Sequence, residues 1–251
     1  MSTFSSKVFF DALSAHFGAL SQDQKVGFAR ILQAAARRGT AWDFLAYILA
    51  TTWWETGKTM EPVREAFWVK NAEAWRKAHL RYYPYYGRGY VQLTWLRNYQ
   101  LVTDYFRNVL HIEVDFVKNP DLVMHPEYAL IILFVGMEKG WFTGKSLSDY
   151  LDGIDEADAE DLREFANARR IINGTDKAAT IGAIAVKMEH ALRKAGYGPT
   201  PEPVRPTPKW QGQPTPSTPE NAVWQAIVAF LVRFGAALLT SMKGKHKDGK
   251  P

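Results

Sequence analysis

The sequence of 251 residues contains no cysteine. This absence excludes a disulfide framework, thiolate metal sites and a cysteine nucleophile, and it makes folding independent of the redox compartment. The first twenty residues also lack the long apolar stretch after a basic start that marks a secretory signal; their apolar residues recur at helical spacing instead. We therefore expect a protein that is made in the cytoplasm without a cleaved leader.

The net charge is +5, but most of the chain is nearly neutral. Residues 199–251 carry seven Lys or Arg and three Asp or Glu, a net charge of +4, which leaves only +1 for residues 1–198. A nucleic-acid-binding domain needs a basic face on its folded part, so nucleic acid is not an expected partner. The six histidines are scattered without ligand spacing, and we predict no metal site and no cofactor.

Apolar residues at helical spacing predict a mainly α-helical domain over residues 1–198. The segment 81–94 is the exception, because tyrosines alternate there with two glycines and a proline, which is typical of a turn or a short β-hairpin. Helix start and stop signals predict four helices in particular, at about 21–39, 41–56, 125–137 and 177–195.

The composition changes after residue 198, where we place the end of the domain. Residues 199–220 are rich in proline and predict an extended linker. Residues 221–251 contain a 21-residue apolar stretch whose single charge is Arg233, followed by lysines. This stretch is long enough to span a bilayer, and its uneven distribution of apolar residues also fits a helix that lies on an anionic membrane or the outer membrane. We predict a membrane-associated tail, with both arrangements open.

Carboxylates after the second predicted helix suit the hydrolysis of a glycan. Glu55 ends that helix beside two tryptophans, which exclude water from a carboxyl group and suit it to donate a proton. Glu61 and Glu65 follow within ten residues, and Arg64 is a candidate partner of Glu55 or Glu65. Glycosidic cleavage without a covalent intermediate needs one carboxylic acid and one carboxylate on opposite faces of the sugar, and these residues could supply both.

The segment from Tyr86 to Trp95 has a composition suited to sugar binding. Its glycines let the backbone approach a ligand closely, and its aromatic rings offer flat faces for sugar rings. Gln92 and Thr94 supply neutral groups that can bind hydroxyls, an acetamido group or a water molecule. An aromatic hairpin packed on its own core would have a similar composition, so this segment alone does not establish a binding site.

Three motifs occur in a fixed order: Trp54–Gly57, Tyr85–Trp95 with Asn98–Tyr99, and Arg169–Gly174. Together they resemble glycoside hydrolase family 19, which includes chitinases and phage endolysins. The resemblance covers roughly residues 9–198 and implies a lysozyme-like α-helical fold with a small β-hairpin.

The resemblance also implies roles for individual residues. Glu55 matches the general acid. Glu65 is the choice for the second carboxylate, with Glu61 and Glu73 as alternatives. The implied substrate-binding residues are Tyr86, Arg88, Gln92, Thr94, Asn98 and Asn173.

The absence of a leader, of cysteine and of a chitin-binding module resembles the endolysin branch of the family. The expected function is hydrolysis of the β-1,4 bond between N-acetylmuramic acid and N-acetylglucosamine in peptidoglycan, by an inverting two-carboxylate mechanism that leads to host lysis. The protein is expected to be a monomer that is made in the host cytoplasm and acts on the periplasmic cell wall. A chitinase and an inactive glycan-binding module are the alternatives, because both polymers are N-acetylated β-1,4 glycans.

Overall fold

A computed structural model describes residues 4–154 and 157–198, and this part of the chain is mainly α-helical with a small antiparallel sheet, as predicted. The elements are α1 (Ser6–Phe17), α2 (Gln22–Arg38), α3 (Trp42–Glu55), β1 (Val63–Arg64), α4 (Ala72–His79), β2 (Arg88–Gly89), α5 (Leu96–Asn108), α6 (Pro126–Lys139), α7 (Asp158–Ala168) and α8 (Ala178–Lys194). Short 3-10 helices lie at Pro120–Met124, Leu147–Asp149 and Arg169–Ile171.

The predicted linker and tail, 199–220 and 221–251, lie outside the described residues. Among the helices of the described ranges, none is long and apolar enough to cross a membrane.

Helix α2 begins and ends at the residues that the sequence predicts. The Ser21 hydroxyl accepts a hydrogen bond from the Gln24 backbone N–H at 3.2 Å, and the Gln24 side chain accepts one from the Ser21 N–H at 2.8 Å. This reciprocal pair is a capping box, which satisfies amide groups that a helix start leaves unpaired. At the other end, Gly39 adopts a left-handed conformation with φ 64°, which glycine adopts without a Cβ penalty.

Helix α3 runs through the centre of the core. The sequence predicts one inward face for this helix, but every residue from Trp42 to Trp53 is buried. The difference arises because α8 packs along α3 and also contacts α1 and α7, so that α3 is covered on sides that a surface helix would expose to water. Only the last residues, Trp54 and Glu55, come partly to the surface.

The small sheet pairs two segments for which no sequence pattern predicts a contact. β1 pairs antiparallel with β2, with Val63 opposite Gly89 and Arg64 opposite Arg88. Within the predicted hairpin, Arg88 also forms an antiparallel bridge with Leu93. The turn in 81–94 is therefore present, whereas its partner strand was missed, since a two-residue strand is too short to show the alternation that predicts strands. This pairing brings the chain that carries Glu65 against the glycine-rich turn.

Candidate active site

A cleft of about 790 Å³ lies where the end of α3, the chain after β1, the turn before α5 and the segment after Arg169 meet. Its volume falls within the range of small-molecule sites. Six of the residues that the sequence singled out line it, namely Glu55, Glu65, Gln92, Thr94, Asn98 and Asn173.

Glu55 is held by an arginine from a distant part of the chain. Arg169 donates a hydrogen bond from Nη1 to Glu55 Oε1 at 2.6 Å. The Arg169 and Glu55 side chains are exposed by only 2% and 15%, so the ion pair is largely shielded from water. Arg169 Nε also donates to the Asp176 carbonyl at 2.9 Å, which fixes the guanidinium. Arg169 lies in the third motif, but no local sequence pattern predicts its contact with Glu55.

The chain reverses direction directly after Glu55. The Thr56 hydroxyl donates to the Thr52 carbonyl at 2.7 Å and accepts from the Met60 N–H at 3.1 Å. Helix α2 approaches this turn so closely that a Cβ on Gly27 would lie 2.2 Å from the Met60 carbonyl oxygen. The turn is thus fixed from both sides, and it returns the chain toward β1 and Glu65.

Glu65 is bound through both carboxylate oxygens. The Tyr82 hydroxyl donates to Oε1 at 2.7 Å, and the Gly87 backbone N–H donates to Oε2 at 2.9 Å. The main chain of Glu65 is held as well, because its N–H donates to the Gly87 carbonyl at 2.7 Å and its carbonyl accepts from Arg76 Nε at 2.6 Å. Glu65 therefore has a fixed orientation at the cleft wall.

The two alternative carboxylates do not line the cleft. Glu61 forms an ion pair with Arg30 at 2.7 Å, and Glu73 forms one with Arg76 at 2.8 Å. Arg64, which was a candidate partner of either Glu55 or Glu65, instead forms an ion pair with Asp121 at 3.0 Å. Among the candidates, Glu65 is thus the one that shares the cleft with Glu55.

Neutral polar side chains of the cleft lining form a chain of hydrogen bonds. Gln92 Nε2 donates to the carbonyls of Val63 and Gly89 at 3.1 and 3.2 Å. The Thr94 hydroxyl donates to the Gln92 carbonyl at 2.7 Å, and Asn98 Nδ2 donates to the Thr94 carbonyl at 2.9 Å. Because these donors bind backbone carbonyls, the Thr94 and Asn98 side-chain oxygens are oriented and can accept hydrogen bonds from a ligand.

A glycine makes this arrangement possible. A Cβ on Gly87 would lie 2.7 Å from Gln92 Oε1, well inside van der Waals contact. Gly87 also supplies the N–H that binds Glu65. The same glycine therefore lets Gln92 pack closely and helps to fix the second carboxylate.

Tyr86 and Arg88, two residues to which the resemblance gives a substrate-binding role, lie in the interior and do not line the cleft. The Arg88 guanidinium carbon lies 3.6 Å from the centre of the Tyr86 ring. Arg88 also forms an ion pair with Asp121 at 2.8 Å and donates to the Tyr99 hydroxyl at 3.0 Å. A buried charge must be paired, and these contacts satisfy it, so Arg88 and Tyr86 hold the turn from behind.

Exposed aromatic rings line the same cleft. Phe67 and Trp68 follow Glu65 and are exposed by 41% and 74%, with ring centres 5.1 Å apart. On another part of the lining, Trp95 is exposed by 45% and lies 4.9 Å from the Tyr82 ring. Phe67 and Trp68 are not among the site residues predicted from the sequence. The pattern that could have indicated them is a pair of adjacent aromatic residues shortly after a candidate carboxylate.

The charged side chains that line the cleft are Glu55, Glu65 and Lys58, with Arg169 behind Glu55. Within residues 4–154 and 157–198, no group of three or more His, Asp or Glu side chains is arranged to hold a metal ion. The cleft therefore offers two carboxylates, oriented neutral acceptors and aromatic faces.

Comparison with known proteins gives no match: no family model, curated protein or solved structure is significantly similar to the chain. A function must therefore be inferred from the cleft and from the motif resemblance.

Proposed function

We propose that the protein is a lysozyme-like endolysin that hydrolyses the β-1,4 bond between N-acetylmuramic acid and N-acetylglucosamine in peptidoglycan. The observation that carries this proposal is the presence of Glu55 and Glu65 in one cleft, together with the neutral groups of Gln92, Thr94 and Asn98. Most glycoside hydrolases act through a pair of carboxyl groups that flank the scissile bond. Exposed aromatic rings beside them suit a polymer of sugar rings.

In the proposed reaction, Glu55 first takes up a proton from solvent on the carboxyl oxygen that Arg169 does not contact. It then donates this proton to the glycosidic oxygen as the bond from that oxygen to the anomeric carbon breaks. A water molecule attacks the anomeric carbon from the opposite face, and Glu65 accepts a proton from that water. The water oxygen becomes the new anomeric hydroxyl, so the configuration is inverted. One water is consumed, and Glu55 regains a proton and Glu65 loses one before the next turnover.

Arg169 supports the acid step through its contact with Glu55. When Glu55 has given up its proton, its carboxylate is largely shielded from water and needs a compensating charge. The guanidinium 2.6 Å away supplies that charge without any rearrangement. Such a preorganised partner stabilises charge that develops during the reaction.

Glu65 can act as the base while keeping its protein contacts. Each of its oxygens accepts one hydrogen bond from the protein, and a carboxylate has about four acceptor positions. Each oxygen therefore retains a position for the proton of a water molecule. Thr94 and Asn98 offer further acceptor oxygens for the water or for substrate hydroxyls.

Mass spectrometry of the products from purified peptidoglycan tests this function. New reducing ends on N-acetylmuramic acid are expected. Products cut only at amide bonds would contradict the proposal, and cleavage of chitin oligomers without cleavage of peptidoglycan would favour the chitinase alternative. Glu55→Gln should lower the rate by about 10²–10⁴-fold, since the amide keeps the shape of the acid but cannot deliver a proton. An unchanged rate in this variant would show that Glu55 is not the acid.

The proposed role of the tail, residues 221–251, is to bind a membrane. An enzyme made in the host cytoplasm reaches peptidoglycan only if it meets the membrane, and the apolar stretch and lysines of 221–251 suit binding to anionic lipids. Deletion of 221–251 should abolish binding to anionic liposomes and leave hydrolysis of soluble peptidoglycan fragments unchanged. Loss of both properties on deletion would contradict a separate role for the tail.

A further inference from the structure

We propose that Tyr82 is a positioning residue for the second carboxylate, holding Glu65 in its reactive orientation. This inference rests on the proposed glycosidase function and adds a residue that the motifs do not assign. It starts from the hydrogen bond between the Tyr82 hydroxyl and Glu65 Oε1, at 2.7 Å.

The hydrogen bond lies at the cleft. Tyr82 and Glu65 both line it, and the Tyr82 ring packs against Trp95 with ring centres 4.9 Å apart. Trp95 in turn directly precedes α5, and its N–H donates to the Tyr85 carbonyl at 2.8 Å. The phenol is thus anchored by its ring, and its hydroxyl has a fixed direction toward the carboxylate.

The remaining contacts of Glu65 come mainly from the main chain. Gly87 donates its N–H to Oε2 and accepts the N–H of Glu65, and no side-chain substitution removes these bonds. The Tyr82 hydroxyl is therefore the group on the Glu65 carboxylate that a single substitution can delete while the surrounding chain stays in place. Tyr82→Phe makes this change and keeps the ring against Trp95.

The phenol has the protonation state that this role requires. Burial and its hydrogen bond to Glu65 raise the pKa of Tyr82 to about 12. Tyr82 is therefore a neutral donor at every pH at which the enzyme is expected to work. A donor to one oxygen stabilises a carboxylate and leaves its other acceptor positions free for water.

The neighbouring residue Tyr83 provides a matched control. Its hydroxyl also donates to a carboxylate, Glu73, at 3.0 Å, but neither residue lines the cleft. Tyr83→Phe thus deletes the same atom, in the next residue of the chain, without touching the site.

The test measures initial rates of the full-length protein on soluble peptidoglycan glycan fragments. Tyr82→Phe should lower kcat on the order of tenfold with KM within about twofold. Tyr83→Phe should match the wild type in both kcat and KM. A merely structural role for Tyr82 would raise KM or lower the melting temperature together with the rate, and would not lower kcat alone.

A second measurement links the effect to Glu65. If Tyr82 acts through Glu65, Tyr82→Phe should not lower the residual rate of Glu65→Gln any further. A wild-type rate in Tyr82→Phe, with a strongly reduced rate in Glu65→Gln, would overturn the inference and leave the proposed function intact. An additional loss in the double variant would also overturn it. Absence of any glycan cleavage by the wild-type protein would overturn the proposed function and this inference together.

Discussion

Arg169 donates a hydrogen bond to Glu55 across 114 residues of sequence, at 2.6 Å. Replacing Arg169 with methionine keeps most of the side-chain length but leaves Glu55 shielded from water and without its partner. Breaking such a buried ion pair from one side costs about 3–5 kcal/mol of unfolding free energy, and hydrolysis should fall by at least about tenfold. Chemical denaturation and initial rates of Arg169→Met, measured well below its melting temperature, test both effects.

The double variant shows whether the two residues act as a pair. In the Glu55→Gln background, the carboxylate is gone, so Arg169→Met should cost less unfolding free energy than it does in the wild type. A coupling free energy of about 0.5–3 kcal/mol is expected for residues in contact. Additive costs within experimental error would show that the contact does not contribute as described.

The second carboxylate can be identified by comparing three glutamine variants. Glu65→Gln should reduce kcat by about 10²–10⁴-fold, because the amide cannot accept a proton from water. Glu61→Gln and Glu73→Gln should retain activity, since their carboxylates bind Arg30 and Arg76 outside the cleft. Loss of activity in Glu73→Gln with Glu65→Gln active would show that the assignment of Glu65 is wrong.

Trp68 is expected to contribute to binding of the glycan strand. It is the most exposed of the large apolar residues on the described surface and lies beside Glu65 in the cleft lining. Trp68→Ala should raise KM on the order of tenfold, corresponding to about 1.4 kcal/mol, with little change in kcat or in stability. Trp75→Ala is the control, because Trp75 stacks on His79 outside the cleft. Equal KM values for the two variants would exclude this role.

The sequence predicts the parts of this fold that local signals determine. Ser21 and Gly39 limit α2 because capping depends on residues within one turn of the helix end. The class of the domain and the position of Glu55 at the end of α3 follow from similar local patterns. Glu65, Gln92, Thr94, Asn98 and Asn173, which the motif resemblance singles out, line the same cleft as Glu55.

The sequence does not predict contacts between distant segments. The pairing of β1 with β2, the reach of Arg169 to Glu55 and the burial of Arg88 against Asp121 each depend on how helices pack. An arginine in a motif has the same local signal whether it binds a ligand or an internal carboxylate. For this reason Arg88 was assigned to the substrate and Arg169 to no role, whereas Arg88 is buried behind the turn and Arg169 holds Glu55.

Glu189 is a buried carboxyl group on α8 that does not line the cleft. Its side chain is fully buried, and Arg193 lies 3.4 Å from one of its oxygens. Burial and the neighbouring carboxylates of Asp161, Asp43 and Asp158 raise the pKa of Glu189 from its ordinary value of 4.5 to about 8. The folded protein therefore binds the Glu189 proton more tightly than the unfolded chain does.

Linkage fixes the direction of the pH effect. A group whose pKa is raised in the folded state contributes stability that is complete below its unfolded pKa and is lost as pH rises through its folded pKa. The melting temperature should therefore fall between about pH 4.5 and pH 8.

Glu189→Gln replaces the protonated acid with a neutral group of the same shape, so it should match the wild type near pH 4.5 and melt at a higher temperature near pH 8.5. Glu113→Gln, at an exposed position, should show no such pH-dependent difference from the wild type. Burial also raises the pKa of Asp43 to about 6, so a weaker fall between pH 4 and pH 6 should persist in Glu189→Gln. A constant difference between Glu189→Gln and the wild type across this range would contradict a buried, protonated Glu189.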